Sequence, residues 1–178
     1  MSIPKISILP LSIEHAEART EAIKNSISHL QPWLPWVSVD YSLADSVEYI
    51  ENANKGRIKN KDYHFAIIEE AGAYAGEVKL LDVNREYYQR SASLAYWVKQ
   101  SMIGRGIATE AVKQLARFAF HQLDLIRIEI FVNIDNQISQ KIPKKVNASY
   151  EGKLRNKWFM NGEPQTVYMY SLIPTDLG

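Results

Sequence analysis

The feature that most constrains this chain is a strand that runs through a glycine loop into a helix and on to a second strand. Residues Ala92–Val98 alternate as a strand, and Gly104 and Gly106 punctuate the loop after them. Across Ala108–Leu123, Ala108, Ala111, Val112, Leu115, Ala116, Ala119 and Leu123 form one helical face. Residues Arg127–Asn133 then alternate again. A crossover of this length makes its two strands a parallel pair. Glycines let the backbone approach a ligand closely, and the first amides of the helix have no partners within it. With the positive end of the helix dipole, those amides form an anion site that needs no net charge. Arg105 would add a charge of its own. The alternative reading is that the glycines only make a tight turn.

Two other nucleotide motifs fit less well. A P-loop is excluded, because no Gly-Lys-Ser/Thr follows the loop. A dinucleotide fingerprint would run through Gly104, Gly106 and Thr109, with Asp124 lying 20 positions after Gly104. That motif belongs to a parallel unit near the start of a domain, whereas the strands preceding this loop read as antiparallel.

Those strands are Tyr63–Ile68, Tyr74–Leu81 and Ala92–Val98, joined by short links that favour hairpins, one of them a loop at Asn84-Arg85. Ahead of them a strand Ile6–Leu11 leads into one helical pattern from Ile13 to Leu30, stopped by Pro32 and Pro35. A second helix starts at Ser42 with Asp45 as a capping-box partner. After the parallel pair come a short helix near Asn136–Lys145, strained by Pro143, and two strands around an Asn161-Gly162 turn. The order is β-α-α-β-β-β-α-β-α-β-β, an α+β fold with a mostly antiparallel mixed sheet of seven strands and about four helices. No linker or repeat divides it, so a single domain over residues 1–178 is expected.

Composition narrows function by exclusion. With 21 Lys+Arg against 20 Asp+Glu, the net charge of +1 gives no bulk attraction for nucleic acid or membrane. The absence of cysteine rules out disulfides, thiolate metal sites and a cysteine nucleophile. His15, His29, His64 and His121 match no metal-ligand spacing, so no metal is expected. No apolar run reaches the ~20 residues of a membrane span, and Met1–Lys5 does not read as a signal peptide. A cytoplasmic protein is the expectation.

The window Ile103-Gly104-Arg105-Gly106-Ile107-Ala108 resembles the signature of the GNAT N-acetyltransferase superfamily, Gln/Arg-x-x-Gly-x-Gly/Ala, with Ile103 departing at the first position. Ala95-Tyr96-Trp97-Val98, Gly106 through Ala111, and Asn133, Asn136 and Ser139 at three-residue steps are similar to the branch that acetylates ribosomal-protein N-termini. So are Glu151-Gly152 with Leu154-Arg155, and Trp33-Leu34-Pro35-Trp36.

The resemblance implies acetyl-CoA as co-substrate. It also implies pantetheine contacts to the backbone of Tyr96, Trp97 and Val98, a pyrophosphate cradle over Gly104, Arg105, Gly106, Ile107, Ala108 and Thr109, and a cofactor contact at Asn136. It makes Ser139 a proton donor to the departing thiolate; a helix-surface serine is the competing reading. The tyrosine used elsewhere in the superfamily falls on Pro143 here. Glu129 corresponds to a base in related enzymes, although an ion pair with Arg127 would also explain it. Glu77 is a second candidate, and Ser93 stands where relatives often carry glutamate. Trp33, Trp36, Tyr87 and Tyr88 are candidates for an acceptor surface, or for packing; His64 reads as structural.

The implied acceptor is the N-terminus of a protein or peptide, such as a ribosomal protein, with the enzyme a monomer or homodimer. Two other functions stay open: acetylation of a small amine (an aminoglycoside, a polyamine or an amino-acid derivative), and a non-catalytic CoA-binding module.

Overall fold

The computed structural model describes residues 5–177; of the segment Met1–Lys5 read for a leader peptide, Met1–Pro4 lie outside the described residues, as does Gly178. Seven strands form one sheet in the order β1-β2-β3-β4-β5-β7-β6. They are β1 (Ile6–Pro10), β2 (Tyr63–Glu69), β3 (Tyr74–Glu86), β4 (Gln89–Val98), β5 (Arg127–Asn133), β6 (Ser149–Met160) and β7 (Glu163–Leu172). The helices are α1 (Ala16–Lys24), α2 (Ile27–Leu30), α3 (Leu43–Ile58), α4 (Ile107–Gln122) and α5 (Lys141–Lys145). The fold class and strand count expected from the sequence stand, and the described residues hold five α-helices where about four were expected.

Each face of the sheet is covered. On one, α4 buries Ala111, Val112, Leu115 and Ala116 against Val78, Leu80, Leu94, Ile128 and Ile130. On the other, α1 and α3 bury Ile23 and Ile50 with Leu11, Ala66 and Trp97. Residues alternate along each strand, so β4 sends Leu94 and Tyr96 to the first face and Trp97 to the second.

Several local details differ from the sequence reading. The long helix expected over Ile13–Leu30 is broken at Asn25-Ser26, because buried Ser26 turns its Oγ inward to accept the Gln100 N–H at 2.9 Å. The α3 capping box forms as expected: Asp45 Oδ2 accepts the Ser42 N–H at 2.8 Å, and Ser42 Oγ accepts the Asp45 N–H at 3.4 Å. Asn84-Arg85 is not a loop but strand, and the hairpin turns at Tyr87-Tyr88. A bulge between Leu81 and Asn84, with Asp82 at φ 52°, absorbs the irregularity that the sequence suggested was a turn. The Asn161-Gly162 turn is as expected, with φ of 53° and 80°. The last helix is only Lys141–Lys145, which puts Pro143 in the first turn, where its missing N–H costs nothing.

Candidate active site

The site grows from the junction that the crossover creates. Strands β4 and β5 pair in parallel only from Ser91 to Ser93 and from Arg127 to Glu129. Beyond that they part, while β5 stays paired with β7 along its length, Ile128–Asn133 against Val167–Leu172. Residues 94–98 of β4 therefore offer backbone groups to the gap on the β5 side.

Gly76 helps to set this edge. It stands opposite Val98 at φ 153°, and an added Cβ would overlap the Trp97 carbonyl oxygen and come within 2.9 Å of Val98 Cα. Only glycine lets β3 approach β4 so closely here.

Between the parted strands lies a cleft of about 360 Å³. One wall is Tyr96, Trp97 and Val98, the floor is the Gly104–Thr109 turn without Arg105, and the far wall carries Asn136, Ser139, Ile142 and Lys145. His29 and Leu30 of α2, with Trp33 and Leu34 just after it, close the side. Gly106 caps α4 in the left-handed region, at φ 81°. The first backbone bond of the helix runs from the Glu110 N–H to the Gly106 carbonyl at 3.1 Å, which leaves the amides of 107–109 facing out of its end.

Thr109 Oγ1 is buried beside them with no hydrogen-bond partner among the described residues. An orphaned hydroxyl next to open amides at a helix N-terminus fits an anionic ligand such as a pyrophosphate. Across the cleft, Asn136 Oδ1 accepts the Ser139 N–H at 3.0 Å, fixing the turn that carries Ser139. Tyr96 reaches over from β4, its hydroxyl 2.9 Å from Ser139 Oγ and 3.1 Å from the Ser139 carbonyl oxygen. Burial pushes the Tyr96 phenol well above its ordinary value, and the Ser139 bond offsets only part of that.

The structure distributes the other candidates unevenly. Ile107 is buried in the core and borders the cleft. Arg105 turns to Glu69, Nη2 to Oε1 at 2.6 Å, and is not part of the cleft wall. Glu129 stands at the last paired position of the parallel junction, opposite Ser93, and is absent from the cleft wall too. Its Oε1 accepts from Arg127 Nε at 3.0 Å, and Arg127 also grips Glu151. Of the two readings of Glu129, the ion pair is the one its contacts match. Glu151, bonded by Arg127 and Ser171, is held down to about 2.

Glu77 is fully buried beneath the sheet, taking bonds from Arg19 Nε, Tyr74 at 2.9 Å and Tyr49 at 3.2 Å. Burial alone would raise its carboxyl; Arg19 and Lys79 nearby bring it below the ordinary range. His64 belongs to the same network, with Nδ1 3.0 Å from the Tyr49 hydroxyl. That hydroxyl gives its one proton to Glu77 and accepts from Lys79, so Nδ1 of His64 is the protonated nitrogen. Trp36 lies over Arg19 in this network, and of the four proposed acceptor aromatics only Trp33 lines the cleft. Tyr87 and Tyr88 sit 88% and 96% exposed at the hairpin tip, at the other end of β4 from the cleft.

Sequence reasoning missed His29 and Arg19. His29 is the one imidazole in the cleft wall among the described residues, and burial lowers its pKa, which favours the neutral, proton-accepting form. No motif marks it. Arg19 was legible: it lies on the same helical stripe as Ala16, Thr20 and Ile23, where a charge signals a buried partner. Among the described residues no cluster of three or more His, Asp or Glu is placed to hold a metal ion, and no helix is long and apolar enough to cross a membrane.

The parted β4–β5 pair and the glycine-capped start of α4 thus form one cleft with free backbone groups on two sides. Residues 5–149 match the acetyltransferase (GNAT) domain family, and the chain belongs to it. Among curated relatives, a putative ribosomal N-acetyltransferase of Bacillus subtilis, YdaF, is 31% identical over 102 residues, covering 57% of this chain and 55% of that protein. The spermidine N(1)-acetyltransferase of Escherichia coli K12 is 30% identical over 97 residues, 54% of this chain and 51% of that one. The chain spans about half the length of these relatives.

Among solved structures, a putative ribosomal-protein-serine acetyltransferase from Vibrio cholerae superposes with a TM-score of 0.82 at 26% identity, covering 96% of this chain and 94% of that one. Mycobacterium smegmatis RimJ, solved in complex with CoA-disulfide, shares the fold with a TM-score of 0.89 at 23% identity, over 97% and 83% of the two chains.

Proposed function

We propose that this chain transfers an acetyl group from acetyl-CoA to the α-amino group at the N-terminus of a protein, such as a ribosomal protein. The observation that carries the acceptor is the charge of the cleft. Among the described residues its wall holds Lys141, Lys145 and His29 and no carboxylate. Lys141 and Lys145 suit the phosphates of acetyl-CoA, and no carboxylate on this wall is left to hold the second ammonium of a polyamine. A protein N-terminus brings one amine, and its pKa near 7.7–8.0 leaves roughly 10–15% of it neutral at pH 7, several hundred times the neutral share of a lysine side chain at ~10.4. Such an acceptor needs little help from a base, and both carboxylates that the sequence offered for that role are held in ion pairs.

Acetyl-CoA supplies the acetyl group as a thioester and leaves as a thiolate. In this reading the backbone of Tyr96, Trp97 and Val98 holds the pantetheine arm, because that edge of β4 has no strand partner. The amides from Gly104 to Thr109, with the Thr109 hydroxyl, hold the pyrophosphate. Asn136 spends its Oδ1 on Ser139 and keeps its amide N–H groups for the cofactor. Ser139 Oγ, on the opposite wall from β4, donates its proton to the departing sulfur.

The test presents acetyl-CoA with peptides carrying both a free N-terminus and a lysine, alongside spermidine and an aminoglycoside, and locates the acetyl group by mass spectrometry. Acetylation confined to the peptide α-amine is the expected result. Robust turnover of spermidine with none on peptides would overturn the acceptor while leaving the transferase intact.

A further inference from the structure

Ser139 rests on a second residue that no motif marks for chemistry. Tyr96 and Ser139 belong to opposite walls of the cleft, and their hydroxyls meet at 2.9 Å. The Tyr96 oxygen also lies 3.1 Å from the carbonyl oxygen of the same serine. One phenolic proton thus has two acceptors on one residue. When it goes to the carbonyl, the serine proton turns back to the tyrosine oxygen and is spent within the pair. When it goes to Oγ, the serine proton is free to face the cleft. A negative charge growing on a sulfur in the cleft selects the second arrangement.

We infer that Tyr96 is the positioning residue for the Ser139 hydroxyl: it donates to Oγ, turns the serine proton into the cleft and steadies the oxygen as that proton leaves. The inference rests on the reading of Ser139 as proton donor. As the new C–N bond forms and the C–S bond breaks, one proton passes from the acceptor nitrogen to solvent and one from Ser139 Oγ to sulfur. Ser139 recovers its proton from water through the open cleft, so the count closes. Tyr96 keeps its own proton throughout, as a phenol made less acidic by burial must. The bond that it gives Oγ lowers the cost of the charge that the serine oxygen bears in the transition state.

The turn itself does not depend on Tyr96. Asn136 Oδ1 holds the Ser139 N–H, and Gln140 Nε2 donates to the Ile134 carbonyl at 2.7 Å. Removing only the phenol oxygen therefore leaves the backbone of the turn in place and frees the serine rotor.

The experiment compares Tyr96→Phe, Ser139→Ala and the double variant at saturating acetyl-CoA and acceptor. Tyr96→Phe should lower kcat about 10-fold, the scale of one hydrogen bond to a charged group. KM for acetyl-CoA should stay within about twofold and thermal stability close to wild type, since the ring is kept. In the Ser139→Ala background the same change should cost nothing further, because Tyr96 acts through that hydroxyl.

An undiminished kcat in Tyr96→Phe alongside a slowed Ser139→Ala would overturn the role of Tyr96 and spare that of the serine. Equal losses in both backgrounds, or a raised KM with unchanged kcat, would likewise make Tyr96 an independent or purely structural residue. Wild-type turnover in Ser139→Ala would remove the donor reading itself, and the positioning of Tyr96 with it.

Discussion

Replacing Glu77 with glutamine tests how the polar network under the sheet supports the cleft. The change keeps the size of the side chain and removes its charge. Glu77 and Arg19 are both fully buried, and Arg19 has no other carboxylate partner among the described residues: its remaining bonds go to the Tyr41 hydroxyl and to Ser46 at 3.3 Å. The guanidinium also lies 3.9 Å from the centre of the Tyr49 ring, packed in place. A guanidinium left buried without its counter-ion costs about 3–5 kcal/mol. For a domain of this size each kcal/mol shifts Tm by about 2–4 °C, so Glu77→Gln should melt roughly 6–20 °C lower.

Scanning calorimetry on wild type, Glu77→Gln and Arg19→Met/Glu77→Leu measures it. The double variant removes both charges and should recover much of the loss, because an apolar pair of similar volume carries no desolvation penalty. Recovery will be incomplete, since Tyr41, Tyr49, Tyr74 and Ser46 lose partners. Glu77 stands opposite Trp97 in the β3–β4 ladder, so the same loss should loosen the cleft wall and raise KM for acetyl-CoA. A single variant within about 1 kcal/mol of wild type would refute the reasoning, as would a double variant less stable than the single.

Thr109→Val removes the orphaned hydroxyl at equal volume; it should leave Tm unchanged or slightly higher and weaken acetyl-CoA binding about 3- to 10-fold by calorimetry, the scale of one hydrogen bond. His64 is held down to about 4, first by burial and then by the Lys79 charge. Its folded pKa is depressed, so the unfolded chain takes up the proton first and stability is lost as pH falls from about 6.5 toward 4. The loss should approach 3 kcal/mol at about 1.4 kcal/mol per pH unit, and melts across that range should flatten in His64→Gln.

The sequence by itself determined the fold class, the strand order through the crossover and the place of the glycine turn that floors the cleft. Each follows from local signals: a period near two for strands, near 3.6 for α4, and glycines where the chain must turn. The α3 cap and the Asn161-Gly162 turn were legible for the same reason, since their hydrogen bonds and dihedrals lie within a few residues. Tertiary structure decided the rest. The Arg127 partner of Glu129 lies two residues away and was legible, but the hold of Arg127 on Glu151 and of Arg19 on Glu77 spans 24 and 58 residues. Arg105 looked like a phosphate ligand until the end of β2 brought Glu69 to it. Tyr96 and Ser139 are 43 residues apart and meet only because β4 and β5 separate after three paired positions. Separation of strands is set by packing on both faces of the sheet, and no local pattern in either strand records it.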